Sequence, residues 1–153
     1  MHIIVSAIGK LKKNAPEYEL VNAYVKRTKW SVEVKEHEEK KALSGETLKN
    51  AEADLLLSSV PEEAKVVVLD EHGDALSSRE FADKLRQWQN NGTHTVAFLI
   101  GGADGHGDKA KARADLMLSF GRMTLPHFLM RVVLAEQIYR ARTIIDGHPY
   151  HRD

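Results

Sequence analysis

Thr95-Val96-Ala97-Phe98-Leu99-Ile100 runs into Gly101-Gly102-Ala103-Asp104-Gly105-His106-Gly107, and Leu116-Met117-Leu118-Ser119-Phe120 runs into Gly121-Arg122-Met123-Thr124-Leu125-Pro126. Each is a short apolar strand that breaks at glycine, and the two follow one another closely in the chain. In open α/β sheets ligands bind in the crevice outside the carboxyl ends of the strands, where glycine lets backbone come close to a ligand. The reading is a small-molecule cofactor pocket built from both loops. A glycine-rich strand-to-helix turn holding no ligand fits the composition equally well.

Upstream of this stretch the pattern alternates between strand and helix. His2 to Ile8 reads as a buried first strand. Pro16 suits a first helical turn, and Tyr18, Val21 and Val25 recur at helical spacing up to Arg27. Ser31-Val32-Glu33-Val34-Lys35-Glu36 alternates as a half-buried strand at a sheet edge. The charged stretch from Glu38 to Ala42 is expected to be an exposed, mobile loop. From Gly45, Leu48, Ala51 and Leu55 mark a second helix that Pro61 closes off. Lys65-Val66-Val67-Val68-Leu69-Asp70 is a continuously apolar run, the pattern of a central parallel strand, and Asp70-Glu71-His72-Gly73 reads as the turn that ends it. Ser77-Ser78-Arg79-Glu80 is a capping box, followed by the stripe Phe81, Leu85, Trp88 and the terminator Asn90-Asn91-Gly92.

Downstream, a short helix over Asp108 to Ala114 leads to the strand at Leu116, and a last helix runs from Pro126 to Ile145. Its apolar residues, among them Phe128, Leu129, Val132, Val133, Leu134, Ile138 and Ile145, spread around the whole circumference. One sheet covers only one face of it, so the other is expected to pack on a second subunit in a two-fold homodimer. The alternative is a helix at the centre of a monomer. Arg131, Glu136, Arg140 and Arg142 on this helix need partners, and pairs within the dimer are expected. The class is therefore α/β, a mostly parallel sheet flanked by helices, in a single domain over residues 1–153.

Lys plus Arg and Asp plus Glu number 22 each, so bulk charge does not grip nucleic acid. The distribution is uneven: residues 1–30 hold six Lys/Arg against two Glu, which with the basic chain end allows a basic face, although plain solvated charge accounts for it too. Absence of cysteine excludes disulfides, thiolate metal sites and a cysteine nucleophile. The N-terminal apolar run lacks a basic flank and is far short of a membrane span, so a cytoplasmic location without membrane contact is expected.

Two phosphate-binding templates fail on the glycine run. The dinucleotide fingerprint puts Ile100 at its first glycine, and the P-loop register of Gly102 and Gly107 puts Asp108 where lysine must stand. A pocket for a cofactor not gripped by its phosphates remains. Among eight histidines the one close pair is His148 and His151; Pro149 between them and the missing further ligands leave no metal site expected. The tail His148-Pro149-Tyr150-His151-Arg152 reads instead as proton-transfer and anion-pairing side chains delivered to a site, against the alternative of a frayed polar end.

Leu69-Asp70, Leu99-Ile100-Gly101-Gly102-Ala103-Asp104-Gly105, Met123-Thr124-Leu125-Pro126-His127, Arg131, Glu136-Gln137-Ile138-Tyr139-Arg140-Ala141 and His148-Pro149-Tyr150-His151-Arg152 together resemble the RlmH family of SPOUT-class methyltransferases. The likeness spans nearly the whole chain; Ala103-Asp104 is the visible departure. It implies a C-terminal trefoil knot, a rare exception to unknotted topology. It also implies S-adenosylmethionine (S-adenosyl-L-methionine) as cofactor, lined by Leu69, Gly101, Phe120, Gly121, Arg122, Met123, Thr124 and Leu125. The implied assembly is a homodimer with the tail near the partner's cofactor. The implied reaction is N3-methylation of a pseudouridine in 23S rRNA of the assembled 70S ribosome. On that footing His151 is the candidate proton-handling group, Arg152 the anion or phosphate anchor, and Tyr150 a base-stacking or positioning group. A non-catalytic ribosome- or nucleotide-binding module and a ribose 2′-O-methyltransferase are the rival readings.

Overall fold

The computed structural model describes residues 1–152. Five strands, β1 (His2–Ile8), β2 (Ser31–His37), β3 (Lys65–Ala75), β4 (Thr95–Ile100) and β5 (Leu116–Ser119), alternate with helices α1 (Pro16–Arg27), α2 (Gly45–Ser58), α3 (Ser78–Asn90), α4 (Asp108–Arg113) and α5 (His127–Ile145). The sheet order is β2-β1-β4-β3-β5, and every neighbouring pair is parallel. Parallel strands need crossover connections, and here helices supply them and cover both faces.

The period-two rule divides each strand between two cores. Ile3, Val5, Val67, Leu69, Val96 and Phe98 face the layer of α1, α3 and α5, where Phe81, Leu85, Leu134 and Ile138 meet them. Ile8, Val66, Val68 and Leu99 face the other way, against Ala53 and Leu56 of α2 and Ala110 of α4. Ser6 points into this second layer and is satisfied by donating to the Leu56 carbonyl at 2.9 Å.

The edge position of β2, the capping box at Ser77 and Glu80, and the stop at Gly92, with φ of +86°, all match the sequence pattern. Two elements differ from it. The expected turn Asp70-Glu71-His72-Gly73 lies inside β3, which bulges there and resumes: Leu69 and Asp74 both oppose Leu118. A Cβ on Gly73 would lie 2.6 Å from the Met117 carbonyl carbon, so the bulge rests its backbone directly on β5. On α2 the buried face is Glu52, Ala53 and Leu56, with Leu48, Ala51 and Leu55 only half-buried. The reason is Glu52, a charged residue in the pattern, which turns inward against the glycine loop.

α5 lies between α1 and α3 on one sheet face, burying Leu134, Ala135, Ile138 and Ala141. Its charges find partners within the chain itself. Arg131 meets Glu36, Arg140 meets Glu136 at 2.6 Å, and Arg142 meets Asp146 at 2.8 Å. Leu129 remains 41% exposed, with Val132 and Val133 half-buried beside it on the same helical face.

Candidate functional site

At the carboxyl ends of β3, β4 and β5 lies a cavity of about 420 Å³. Its first wall is Leu69 and the bulge that follows, its second the loop from Ile100 to His106, its third Leu118 to Gly121 with Met123 to Leu125, and the first turn of α5 closes it with His127 and Met130. These are the two glycine-broken strand ends, brought together because β4 and β5 both flank β3. Of the cofactor-lining residues expected, Leu69, Gly101, Phe120, Gly121, Met123, Thr124 and Leu125 form the wall. Arg122 is exposed and is not part of it.

The glycine loop is held from beneath and from the side. Gly101 N–H donates to His106 Nε2 at 3.1 Å, and Gly105, with φ of +78°, closes a tight turn by donating to the Gly102 carbonyl at 3.1 Å. A Cβ on Gly102 would sit 2.9 Å from the Glu52 carboxylate oxygens, and one on Gly107 3.1 Å from Lys49 Cβ. The room at these two glycines is therefore taken by α2, not kept for a ligand. Burial, then the nearby Asp104 charge, push the Glu52 carboxyl above its ordinary range.

Of the acidic residues that line the cavity, Asp70, Glu71 and Asp104, only Asp70 is half-buried. Burial alone would raise its pKa. The His72 N–H at 2.9 Å and the Lys111 ammonium at 3.3 Å outweigh that and hold it low, so it stays ionised. In the third wall, Ser119 Oγ accepts from Gly121 N–H at 3.1 Å and donates to the Gly121 carbonyl at 3.0 Å, fixing the turn at a φ of +119° that favours glycine. Met123 just beyond is 85% exposed.

The tail residues lie elsewhere in the chain. Tyr150 packs edge-on against Tyr139 at 4.7 Å, its hydroxyl donates to Glu136 Oε1 at 3.0 Å, and the Arg140 guanidinium sits 4.8 Å over its ring. His151 Nδ1 lies 3.1 Å from Arg140 Nη1, and Arg152 is exposed. None of Tyr150, His151 and Arg152 forms part of the cavity wall of their own chain. Burial and then the Glu136 hydrogen bond raise the Tyr150 phenol well above its ordinary range, so it is a neutral donor at physiological pH.

Asp70, His72, His106, Lys111 and His127 are among the cavity residues to which the sequence assigned no role. They come from four separate segments, and position at a strand end is the one signal that marks Asp70. Among the described residues no group of three or more His, Cys, Asp or Glu is placed to hold a metal ion, and no helix is long and apolar enough to cross a membrane.

Comparison with known proteins agrees with this architecture. The family model described as predicted SPOUT methyltransferase matches residues 1–151. The ribosomal RNA large subunit methyltransferase H of Paramagnetospirillum magneticum is 54% identical over 99% of both chains. The protein of the same name from Rhodospirillum centenum is 47% identical, again over 99% of both. A crystal structure of the SpoU methyltransferase AviRb from Streptomyces viridochromogenes aligns with 96% of this chain and 61% of its own chain at 12% identity and a TM-score of 0.45, a likeness too weak to support an inference. With a parallel sheet, a cavity at its carboxyl edge and full-length identity at this level, the chain belongs to the SPOUT methyltransferases, in the family of ribosomal RNA large subunit methyltransferase H.

Proposed function

We propose that the protein is a homodimeric, S-adenosylmethionine-dependent methyltransferase that modifies N3 of a pseudouridine in 23S rRNA of the assembled 70S ribosome. The observation that carries this reading is the cavity between the two glycine-broken strand ends. About 420 Å³ falls in the range of small-molecule sites. Its wall combines apolar side chains, Leu69, Ile100, Leu118, Phe120 and Met130, with loop backbone and the ionised Asp70. That set suits a ligand with a flat heteroaromatic ring, positive charge and no phosphates, and the failure of both phosphate templates agrees with it. Its relatives' shared name, ribosomal RNA large subunit methyltransferase H, supports the choice of RNA as substrate.

When bound, the cofactor supplies a methyl group already activated on a sulfonium. The protein's task is alignment of donor and acceptor and removal of the acceptor proton. Leu69, Gly101 and the Phe120 to Leu125 turn, with Arg122 on its outer side, hold the donor. His151 takes the N3 proton, Arg152 anchors a phosphate, and Tyr150, kept neutral beside Glu136, positions the base. Because the tail lies off the cavity of its own chain, these groups act in the partner's site. The exposed Leu129 with Val132 and Val133 supports a dimer contact on α5. A trefoil knot is part of the same reading: β5 lies at the sheet edge beyond β3, yet α5 returns to the layer over β4.

The deciding experiment incubates the protein and S-adenosylmethionine with 70S ribosomes from cells lacking it, followed by mass spectrometry of rRNA nucleosides. N3-methylpseudouridine is expected. A ribose-methylated nucleoside would establish the 2′-O reading instead, and no methylation at all the non-catalytic binding module.

A further inference from the structure

His106 stands apart from the other seven histidines. It is 7% exposed, lodged under the glycine loop, and its Nε2 accepts the Gly101 N–H at 3.1 Å. Its ring lies flush on Gly101, where a Cβ would come within 3.2 Å of His106 Cε1. A ring nitrogen that accepts carries no proton, so the single proton of the neutral ring is on Nδ1. The ring faces the backbone of Leu69, just before the bulge in β3, and of Leu99, near the end of β4, and both favour a proton on it. The charged groups around it are Asp70 from β3, which favours a proton, and Lys111 from α4, which opposes one. On the far side of the loop Glu52 from α2 and Asp104 approach Gly102. Burial dominates and keeps the ring neutral to lower pH than an exposed histidine.

We propose that His106 is a positioning residue for the cofactor: as a neutral acceptor it fixes the Gly101 peptide in the cavity wall, and its protonation releases that peptide, so cofactor affinity falls in acid. This rests on the S-adenosylmethionine reading of the cavity. A protonated ring would set Nε2–H against Gly101 N–H, two donors at hydrogen-bonding distance with no acceptor between them, and the loop must then move.

Calorimetry of S-adenosylmethionine with the full-length protein at about pH 8 and about pH 5.5 tests the idea. Wild type is expected to bind more weakly at the lower pH, by less than the about 10-fold that a histidine with the ordinary value of 6.5 would give. His106→Gln, whose carboxamide oxygen accepts from Gly101 but does not titrate in this range, should bind like wild type at the higher pH and change little at the lower. His106→Leu should bind weakly at both. His72 and His127 also line the cavity, and they stay in place in His106→Gln. A pH dependence that survives that substitution belongs to them and overturns the role given to His106. So does a His106→Leu protein that binds as tightly as wild type at pH 8. In the protein without cofactor, the Gly101 amide resonance should move with pH in wild type and stay still in His106→Gln. This second measurement keeps the two ideas separable: no binding by wild type at pH 8 refutes the cofactor reading, and an amide indifferent to pH refutes the positioning role.

Discussion

Arg131 Nη1 donates to Glu36 Oε1 at 2.7 Å, joining the first half of α5 to the end of the edge strand β2. Arg131 is 2% exposed, and its Nη2 also donates to the carbonyls of Ile8 at 2.9 Å and Gly9 at 2.6 Å. One guanidinium thus closes the open ends of β1 and β2. Arg131→Met removes all three bonds and leaves a half-buried carboxylate with no counter-charge. A loss of about 3–5 kcal/mol in urea unfolding is expected. Glu36→Gln keeps an acceptor for both Arg131 and the Leu11 N–H and should cost only about 1–2 kcal/mol. Equal losses would mean that charge contributes little to this joint.

Gly73 has no room for a side chain, because the Met117 and Leu118 backbone lies where a Cβ would be. Gly73→Ala must push β5 away from β3, at a cost of about 1–3 kcal/mol. Since β5 leads into the third wall of the cavity, cofactor affinity measured by calorimetry should fall together with stability. A Gly73→Ala protein with unchanged melting temperature would contradict the close approach.

Tyr150→Phe deletes the hydroxyl that donates to Glu136 while leaving the ring on Tyr139 and Arg140. Stability should fall by about 1 kcal/mol or less. Turnover on ribosomes should fall about 10-fold, with cofactor affinity unchanged. A variant that loses cofactor affinity but not turnover would separate the tail from the RNA step.

Leu129→Glu with Val132→Glu places two carboxylates on the exposed apolar face of α5. Sedimentation should show the mass halved from dimer to monomer, with the far-ultraviolet circular dichroism preserved and methylation lost. Retention of the dimer would move the interface to another surface.

Acid should destabilise the fold through its histidines. Burial lowers the pKa of His106, and of His37 and His127 where burial also leads, below the ordinary value of 6.5. The unfolded chain therefore takes up these protons at higher pH than the folded one. Their contribution is complete above about pH 6.5 and is lost as pH falls through the window beneath it. The urea midpoint should decline below that pH, and His106→Gln should flatten the decline most because His106 is the most buried of the three.

The sheet was legible because the central parallel strands β1, β3 and β4 write themselves as short buried apolar runs, while β2 carries the alternation of an edge strand and β5 is a short Leu/Met run. The continuation of β3 was not, since Glu71, His72, Gly73 and Asp74 are turn residues in any local reading, and the strand resumes only because β5 pairs with Asp74 and Ala75 beyond the bulge. Glu52 misled the pattern on α2 for the same kind of reason: a buried carboxylate looks like a solvent face until its neighbour is known. At the site, the glycine loops marked themselves by composition. His106 and Lys111 carry no such mark, and Arg131 finds Glu36 across 95 positions of sequence, beyond any local periodicity. The tail was recognisable as chemistry, but its fold-back onto Glu136 and Arg140 depended on helix geometry.

α5 closes the cavity at its first turn, with His127 and Met130, and grips the tail ten residues later at Arg140. At 1.5 Å per residue the two stations are about 15 Å apart along one helix. If the tail acts on the methyl acceptor as proposed, a two-fold pair would contain two composite centres, each owing its pocket to one polypeptide and its tail to the other. Mixing subunits impaired only in the tail with subunits impaired only in the pocket would then yield hybrids in which one centre is doubly damaged and the other intact, and two inactive proteins would restore activity by exchanging partners.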